Sequence, residues 1–253
     1  MRTKRFISLL MALSVLSAFI IVGSSIPAMA QDAKKSDSTV KIFVEYQLAK
    51  GGILKNGNIN VAVANGKITL TGTVPTIHDQ KQAEKLAQNA DENYSVVNDL
   101  TIAAPYVSDS QITSEVMHRI ETHLFYTVFD WVTVHSQNGV VTLKGWVNLP
   151  WYSTEYQAQA EHVSGVKKVI NEMKTSMGSN YLAFRSARLI YNDPMFMGYA
   201  FQQNPPIHII VNIGSVILEG KVGSATERSY AANLIRFHTD AVEVVNNLVV
   251  SGK

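Results

Sequence analysis

The side chains best suited to chemistry in this sequence do not form a known catalytic or metal-binding pattern. The 253 residues include seven histidines and no cysteine. His118 and His123 are five residues apart, so a helix would not place them on one face, as it would an i, i+4 pair. The sequence contains no G-x-S-x-G nucleophile motif, no H-E-x-x-H zinc motif and no phosphate-binding loop. We therefore predict a protein that is not an enzyme and that holds no metal or cofactor.

Two clusters of aromatic and methionine side chains are the candidates for contact with a lipid or a protein partner. The first contains all three tryptophans, which with tyrosine favour the headgroup layer of a membrane. Its members are Phe125, Tyr126, Phe129, Trp131, Trp146 and Trp151. The second cluster, Met195, Phe196, Met197 and Tyr199, combines flexible and amphipathic side chains that suit a promiscuous surface. The same four residues could instead complete a small core.

Charge gives a third candidate site. Arg185 and Arg188 are three residues apart and would share a helix face, where they could hold an anionic headgroup or simply be solvated. The chain has 22 basic and 20 acidic residues, and three of the basic ones lie in the first five positions. The remainder is therefore nearly neutral, which is no electrostatic footprint for nucleic acid.

The first thirty residues have the pattern of a secretory signal peptide. A basic start is followed by an apolar run over 6–22 and by the small-residue site Ala28-Met29-Ala30. We expect cleavage near Ala30 and a mature chain in the periplasm or outside the cell. The apolar run is long enough that an uncleaved anchor remains the alternative. Because a bacterial lipoprotein needs a cysteine for its lipid anchor, we expect no lipoprotein.

One motif recurs three times and sets the organisation of the chain. Residues 59–74, 132–147 and 207–222 align without a gap, each with two glycines six residues apart and an asparagine 26 residues later. These landmarks are Gly66, Gly72 and Asn98, then Gly139, Gly145 and Asn171, and finally Gly214, Gly220 and Asn246. The motif recurs after 73 and then 75 residues, which predicts a triplicated structural unit.

Each copy reads as a small α-β-β-α-β domain. Alternating apolar residues around Asn65-Gly66 predict a β-hairpin with a tight turn, whereas Ile213-Gly214 in the third copy indicates another loop type. Helical stretches lie before and after each hairpin, and an apolar strand closes each copy. Two helices can cover one face of a three-stranded mixed sheet. We therefore predict an α+β fold with three tandem domains at 36–104, 108–177 and 180–252, the last strand of the third running over 242–250.

Three local features carry finer predictions. The second glycine of each motif should mark a bulge or a close approach by neighbouring backbone, for which a helix packed on the sheet is the natural candidate. Apolar residues that step by four from Ile112 to Leu124 predict one buried helix face. The pair Gly51-Gly52 suggests that the first helix of the first copy is truncated.

The repeated motif resembles the BON domain of bacterial periplasmic and outer-membrane-associated proteins. The resemblance rests on NGKITLTGTV with VVNDL, NGVVTLKGWV with VINEM, and IGSVILEGKV with VVNNL, and it covers nearly the whole mature chain. It implies a non-catalytic envelope protein linked to osmotic stress, envelope integrity and phospholipid binding. The implied partners are an anionic phospholipid or membrane surface, or an envelope protein. The alternative is a protein–protein scaffold or holdase-like factor that binds no lipid.

Overall fold

The computed structural model describes residues 35–55, 57–103 and 105–251, so the predicted signal segment lies outside the described residues. Repeat 1 consists of α1 (Asp37–Lys50), β1 (Asn58–Ala64), β2 (Lys67–Val74), α2 (Ile77–Gln88) and β3 (Ser95–Ile102). Repeat 2 consists of α3 (Asp109–Glu121), β4 (Trp131–Gln137), β5 (Val140–Val147), α4 (Pro150–Glu161) and β6 (Lys168–Thr175). Repeat 3 consists of α5 (Asn180–Tyr191), α6 (Met197–Ala200), β7 (Ile207–Asn212), β8 (Ser215–Val222), α7 (Ala225–His238), β9 (Glu243–Asn246) and β10 (Val249–Val250). The predicted α+β class with repeated α-β-β-α-β units is confirmed.

The middle strand of each sheet pairs antiparallel with the strand before it and parallel with the strand after the second helix. The prediction of one strand over 242–250 is wrong in detail. That stretch is divided into β9 and β10, both of which pair parallel with β8. Between them the main-chain N–H of Asn247 still donates to the carbonyl oxygen of Leu218 at 2.8 Å, so the interruption is a local irregularity at the end of the sheet.

All three hairpin turns have the same backbone conformation. Asn65 and Gly66 have φ values of 53° and 77°, and Ile213 and Gly214 have 48° and 79°. The expectation of another loop type in repeat 3 is therefore wrong. A β-branched residue with positive φ is strained, and a hydrogen bond from the Ile213 N–H to the Met177 carbonyl oxygen at 2.7 Å helps to hold it there.

The second glycine of each motif lies opposite a backbone carbonyl, and the expectation that a helix approaches it is wrong. A Cβ at this position would lie 1.9 to 2.0 Å from a main-chain oxygen, which belongs to the first residue of the paired strand in repeats 1 and 2 and to the residue just before it in repeat 3. The three pairs are Gly72 with Asn58, Gly145 with Trp131, and Gly220 with Pro206. These glycines have φ values between 111° and 122°, a conformation that residues with a side chain rarely adopt.

The asparagine landmark ties the last strand of each repeat to its second helix. Its side-chain N–H donates to a main-chain oxygen in the first turns of that helix. The pairs are Asn98 with Gln80, Asn171 with Ser153, and Asn246 with Arg228. Its side-chain oxygen accepts from the N–H two residues further along the strand in all three copies. The residue therefore satisfies backbone groups at the point where strand and helix meet.

Each repeat has a core between one face of its sheet and its two helices, and Ile77 of α2 also belongs to the core of repeat 2. Helix α3 buries Ile112, Val116 and Ile120 as predicted, but it ends at Glu121, so Leu124 is 86% exposed and does not continue that face. Helix α1 is not truncated either. It has 14 residues, and Gly51 caps its C-terminal end.

Candidate functional site

The aromatic residues of repeat 2 divide into two groups, and one group lies on the surface. Phe125 stacks on Tyr152 with ring centroids 5.5 Å apart, and Trp151 packs edge-on against both, at 4.7 and 4.4 Å. Trp151 is exposed, and so are Leu124, which precedes Phe125, and Leu149, two residues before Trp151. We refer to Leu124, Phe125, Leu149, Trp151 and Tyr152 as the aromatic shelf.

The second group joins repeat 2 to repeat 3 and is not a free surface. Tyr126 and Trp131 pack on His208 of β7, with ring centroids 5.6 and 4.9 Å apart, and Tyr126 is buried. Phe129 packs edge-on against Phe184 of α5 at 5.1 Å. The prediction that Tyr126, Phe129 and Trp131 present a contact surface is thus corrected, because these side chains fill the contact between two repeats. We call this contact the junction.

His208 is the residue at the centre of the junction, and the sequence analysis did not select it. It is 2% exposed, and its Nδ1 has no hydrogen-bond partner among the described residues. Burial lowers the pKa of His208 to about 4, against a smaller opposite effect of the carbonyl groups of Asp130 and Thr127. A sequence signal existed, since Ile209, Ile210 and Val211 are consecutive apolar residues in β7, whereas large apolar residues alternate with polar or small ones in the matching strand of repeat 1. Consecutive apolar residues in a strand indicate burial on both faces.

Asp130 fixes the loop that carries this group. Its carboxylate is fully buried and accepts from the N–H and hydroxyl of Thr127, at 3.1 and 3.0 Å, and from the N–H of Asn148 at 2.8 Å. Burial raises the pKa of Asp130, and the hydrogen bonds act in the opposite direction. The loop between α3 and β4 is therefore held in one conformation from inside repeat 2.

Trp146 lies on the face of the second sheet opposite to the buried residues Val141, Leu143 and Val147. It is the cross-strand neighbour of Trp131, and the ammonium group of Lys174 lies over its ring, 5.7 Å from the centroid. Its ring is half-buried by these neighbours. Trp146 is thus apart from the aromatic shelf, although both belong to repeat 2.

Segment 195–199 of repeat 3 contains both a core residue and exposed residues, which were the two alternatives that the sequence left open. Phe196 is fully buried in the core, where it stacks with Tyr199 and Tyr230, so it is not a contact residue in this conformation. The Tyr199 hydroxyl donates to Glu227 at 2.6 Å and accepts from the Gly223 N–H at 2.9 Å. Met195 and Met197 flank the buried ring and are exposed.

Arg185 and Arg188 line an open groove of about 650 Å³ between α5 and α7. Tyr181 and Phe184, 66% and 61% exposed, line the same groove. Arg185 lies over the Tyr181 ring, 6.0 Å from its centroid, and donates to the Tyr181 hydroxyl at 3.4 Å. Within the described part of the chain neither arginine forms a salt bridge.

The groove also contains one carboxylate, which is already engaged. Asp193 accepts from the Met195 N–H at 2.9 Å and from the Tyr230 hydroxyl at 3.0 Å. The positive charge of the two arginines is therefore available to a ligand. A guanidinium group is suited to phosphate because its planar N–H groups can donate in pairs.

Comparison with known proteins decides the family. The sequence profile of the BON domain matches residues 36–104, 108–177 and 197–252, most of the chain. The chain belongs to the BON domain family. It is similar to the outer membrane lipoprotein DolP of Haemophilus influenzae, with 31% identity over 174 residues, covering 62% of this chain and 86% of that protein. It is also similar to the osmotically-inducible protein Y of Escherichia coli, with 27% identity over 146 residues, covering 55% of this chain and 72% of that protein.

A solved structure of low similarity is the C-terminal domain of CdsD, a structural protein of the type III secretion system of Chlamydia trachomatis. It shares 13% identity with a TM-score of 0.26, and the match covers 83% of this chain and 96% of that one.

The outer faces of the first helices differ among the three BON repeats. When the buried positions are superimposed, Ile42, Phe43 and Tyr46 of α1 correspond to Ser114, Glu115 and His118 of α3, and to Phe184, Arg185 and Arg188 of α5. The face is apolar in repeat 1, polar in repeat 2 and both aromatic and basic in repeat 3. The exposed patch on α1 was missed in the sequence because its members fall outside the buried stripe.

Several histidines of this BON protein pack against other aromatic rings. His123 packs edge-on against Phe125 and Tyr156, at 5.1 and 5.9 Å. His78 of repeat 1 stacks on His162 of repeat 2 at 3.7 Å. Among the residues that the structure describes, no group of three potential ligand side chains could hold a metal ion. Within the same residues, no helix combines the length and apolarity needed to cross a bilayer.

Proposed function

We propose that this protein is a non-catalytic BON protein of the cell envelope that binds anionic phospholipid surfaces and supports envelope integrity under osmotic or other stress. The groove of repeat 3 carries the proposal, because Arg185 and Arg188 lack a carboxylate partner there and lie beside exposed Tyr181 and Phe184. The arginines hold lipid phosphate groups, and the aromatic rings sit at headgroup depth.

The charge of the groove should contribute measurably to binding. A basic residue close to an anionic membrane surface contributes about 1 kcal/mol, so two arginines contribute about 2 kcal/mol, or about 30-fold in affinity. The aromatic shelf of repeat 2 supplies further apolar contact through Trp151, and Met195 and Met197 lie exposed on repeat 3. The equivalent helix face of repeat 2 carries Glu115, and we expect it to make no contact.

The envelope location draws on the relatives and on the sequence. One relative is named as an outer membrane lipoprotein and another as osmotically inducible. The predicted signal peptide, with cleavage near Ala30, would export the chain to the periplasm. Because the sequence has no cysteine for a lipid anchor, attraction between the folded surface and phospholipid would replace that anchor.

The test is flotation of the purified mature chain with vesicles of phosphatidylglycerol in phosphatidylcholine, and with phosphatidylcholine alone. The variant Arg185→Glu/Arg188→Glu should lose at least about 30-fold of its affinity for the anionic vesicles. The matched control is Lys67→Glu/Lys85→Glu, which changes the net charge equally but on exposed lysines of repeat 1. Equal losses of affinity in both variants would show that only the net charge matters and that the groove does not. Absence of binding by the wild type would refute the proposal.

A second candidate function is a protein-binding scaffold or holdase-like factor, and the patch on α1 favours it. Ile42 and Tyr46 are 68% and 58% exposed, and Phe43 beside them is also exposed. A patch of this kind without unpaired arginines suits an apolar protein partner. Replacing the three residues by serine should abolish suppression of client aggregation and leave vesicle flotation intact if this function resides in repeat 1.

A further inference from the structure

Repeat 3 contacts repeat 2 and the linker along β7, the edge strand of its sheet. The Ile209 N–H in β7 donates to the carbonyl oxygen of Val128 in repeat 2 at 2.7 Å. Further along, the Ile213 N–H donates to the Met177 carbonyl oxygen at 2.7 Å, and the Met177 N–H donates to the Asn212 side-chain oxygen at 3.2 Å. Extended segments dock on sheet edges through such main-chain hydrogen bonds. Repeat 2 and the following linker together cover this edge.

The loop of repeat 2 at the junction connects both parts of the proposed lipid-contact surface. Phe125 belongs to the aromatic shelf, where it stacks on Tyr152. Four residues later, Phe129 packs against Phe184 on the rim of the repeat 3 groove. The loop therefore connects the shelf to the groove only while Phe129 remains against repeat 3.

His208 lies at the centre of this contact. Its ring packs on Tyr126 and Trp131, both from repeat 2, and is almost completely buried. Because Nδ1 has no hydrogen-bond partner, the site suits a neutral imidazole. An imidazolium ion at this position would be a buried charge without a carboxylate partner, because the main-chain carbonyl groups of Asp130 and Thr127 offset only a smaller part of the cost of burial.

The charged groups that face His208 do not compensate such a charge. Glu219 of β8 is the cross-strand neighbour of His208, and Asp130 belongs to the loop whose main-chain carbonyl groups meet the ring. Glu121 interacts electrostatically with Tyr126, which packs on His208, and with Lys221 of β8. The carboxylate of Asp130 accepts from the main-chain N–H groups of Thr127 and Asn148, and that of Glu219 accepts from an asparagine side chain. In the described part of the chain none of these carboxylates forms an ion pair with His208.

We propose that repeats 2 and 3 form the lipid-contact surface only while docked on each other, and that protonation of His208 opens the junction and releases the protein from the membrane surface. This inference rests on the proposed function, and it adds acid-triggered release to it. The proposal does not involve repeat 1, whose contacts with repeat 2 include Ile77 and Ile102 at the core of repeat 2 and the ion pair of Lys81 with Glu161 at 2.7 Å.

The expected response follows from the two environments of the ring. The pKa of His208 is lowered from 6.5 to about 4 in the docked state. If the ring regains its ordinary pKa when the junction opens, the ratio of docked to open protein falls about 30-fold by pH 5 and at most about 300-fold at lower pH.

The lipid test compares His208→Gln and His208→Lys with the wild type in flotation with phosphatidylglycerol vesicles between neutral pH and pH about 4. Wild type should release in acid, and His208→Gln should stay bound under the same conditions. His208→Lys should bind at least about tenfold more weakly at neutral pH, with its circular dichroism unchanged. The control His135→Gln, at an exposed position of β4, should follow the wild type. Release of His208→Gln at the same pH as the wild type would overturn the inference.

A second measurement without lipid separates this inference from the proposed function. In the variant Trp146→Phe/Trp151→Phe the remaining tryptophan, Trp131, reports on the junction. Its emission should shift to longer wavelength in acid, and the shift should vanish when His208→Gln is added. If the shift occurs but the wild type binds no vesicles at neutral pH, the lipid proposal fails and the switch stands. If no shift occurs, the switch is refuted.

Discussion

Replacing Gly145 by alanine should destabilise repeat 2 strongly, because the new methyl group would collide with the backbone of the paired strand. The Cβ would lie 2.0 Å from the carbonyl oxygen of Trp131, and Gly145 has a φ of 122°. No flexible side chain can yield at this point, so the hairpin itself must shift. Gly198 in α6 is the matched control, since a Cβ there would meet no atom within 4 Å.

The size of the effect follows from two costs. A residue other than glycine in this backbone region costs about 1 to 3 kcal/mol. Moving the carbonyl of Trp131 away breaks a strand hydrogen bond, which costs about 1 kcal/mol. The expected loss for Gly145→Ala is therefore about 3 kcal/mol in the free energy of unfolding. For a chain of this size that corresponds to a decrease in Tm of about 6 to 12 °C.

Urea and thermal unfolding followed by circular dichroism and tryptophan fluorescence would measure this loss. Gly198→Ala should stay within about 0.5 kcal/mol of the wild type. If Gly145→Ala unfolds within about 1 kcal/mol of the wild type, the close backbone approach is not a determinant of the hairpin, and our explanation of the repeated second glycine is incorrect.

Three further predictions concern repeat 3. Phe196→Ala should lower the free energy of unfolding in urea by about 3 to 5 kcal/mol, because the ring is fully buried. Met197→Ala, at an exposed position, should lower it by less than about 1 kcal/mol. Equal losses would contradict the assignment of Phe196 to the core and of Met197 to the surface. Ser186→Ala should raise the free energy of unfolding by about 1 kcal/mol because the buried hydroxyl has no partner among the described residues; a clear loss would show a missed hydrogen bond. Because the pKa of His208 is lowered to about 4, the unfolded state binds the proton more strongly, and stability should decrease by up to about 3 kcal/mol as pH falls from 6.5 towards 4. His208→Gln should remove that part of the pH dependence, and an unchanged pH profile would contradict the prediction.

The repeat architecture could be predicted because its determinants are local. Gly66 follows a positive-φ asparagine in a two-residue turn, and Gly145 and its equivalents need a conformation that only glycine adopts readily. Ile112, Val116 and Ile120 likewise recur at the spacing of one helix face, which packs on the sheet of the same repeat. Each of these features is visible within a few residues of sequence.

The contact surface could be predicted only in part, because packing between repeats is non-local. Trp131 and Trp151 are chemically alike, yet one fills the junction and the other is exposed. The difference depends on β7, which is more than 50 residues further along the chain. The lack of alternation from Ile207 to Val211 was the one sequence clue that repeat 3 buries a second face of its sheet.

The most direct test of lipid contact at the repeat 3 groove uses the lack of cysteine in the chain. Phe184→Cys and Ser114→Cys place a single label at equivalent exposed positions of α5 and α3. With an environment-sensitive fluorophore attached, phosphatidylglycerol vesicles should shift the emission to shorter wavelength at position 184 and leave position 114 unchanged. Equal shifts at both positions, or a shift at position 114 alone, would contradict the assignment of the lipid-contact surface to repeat 3.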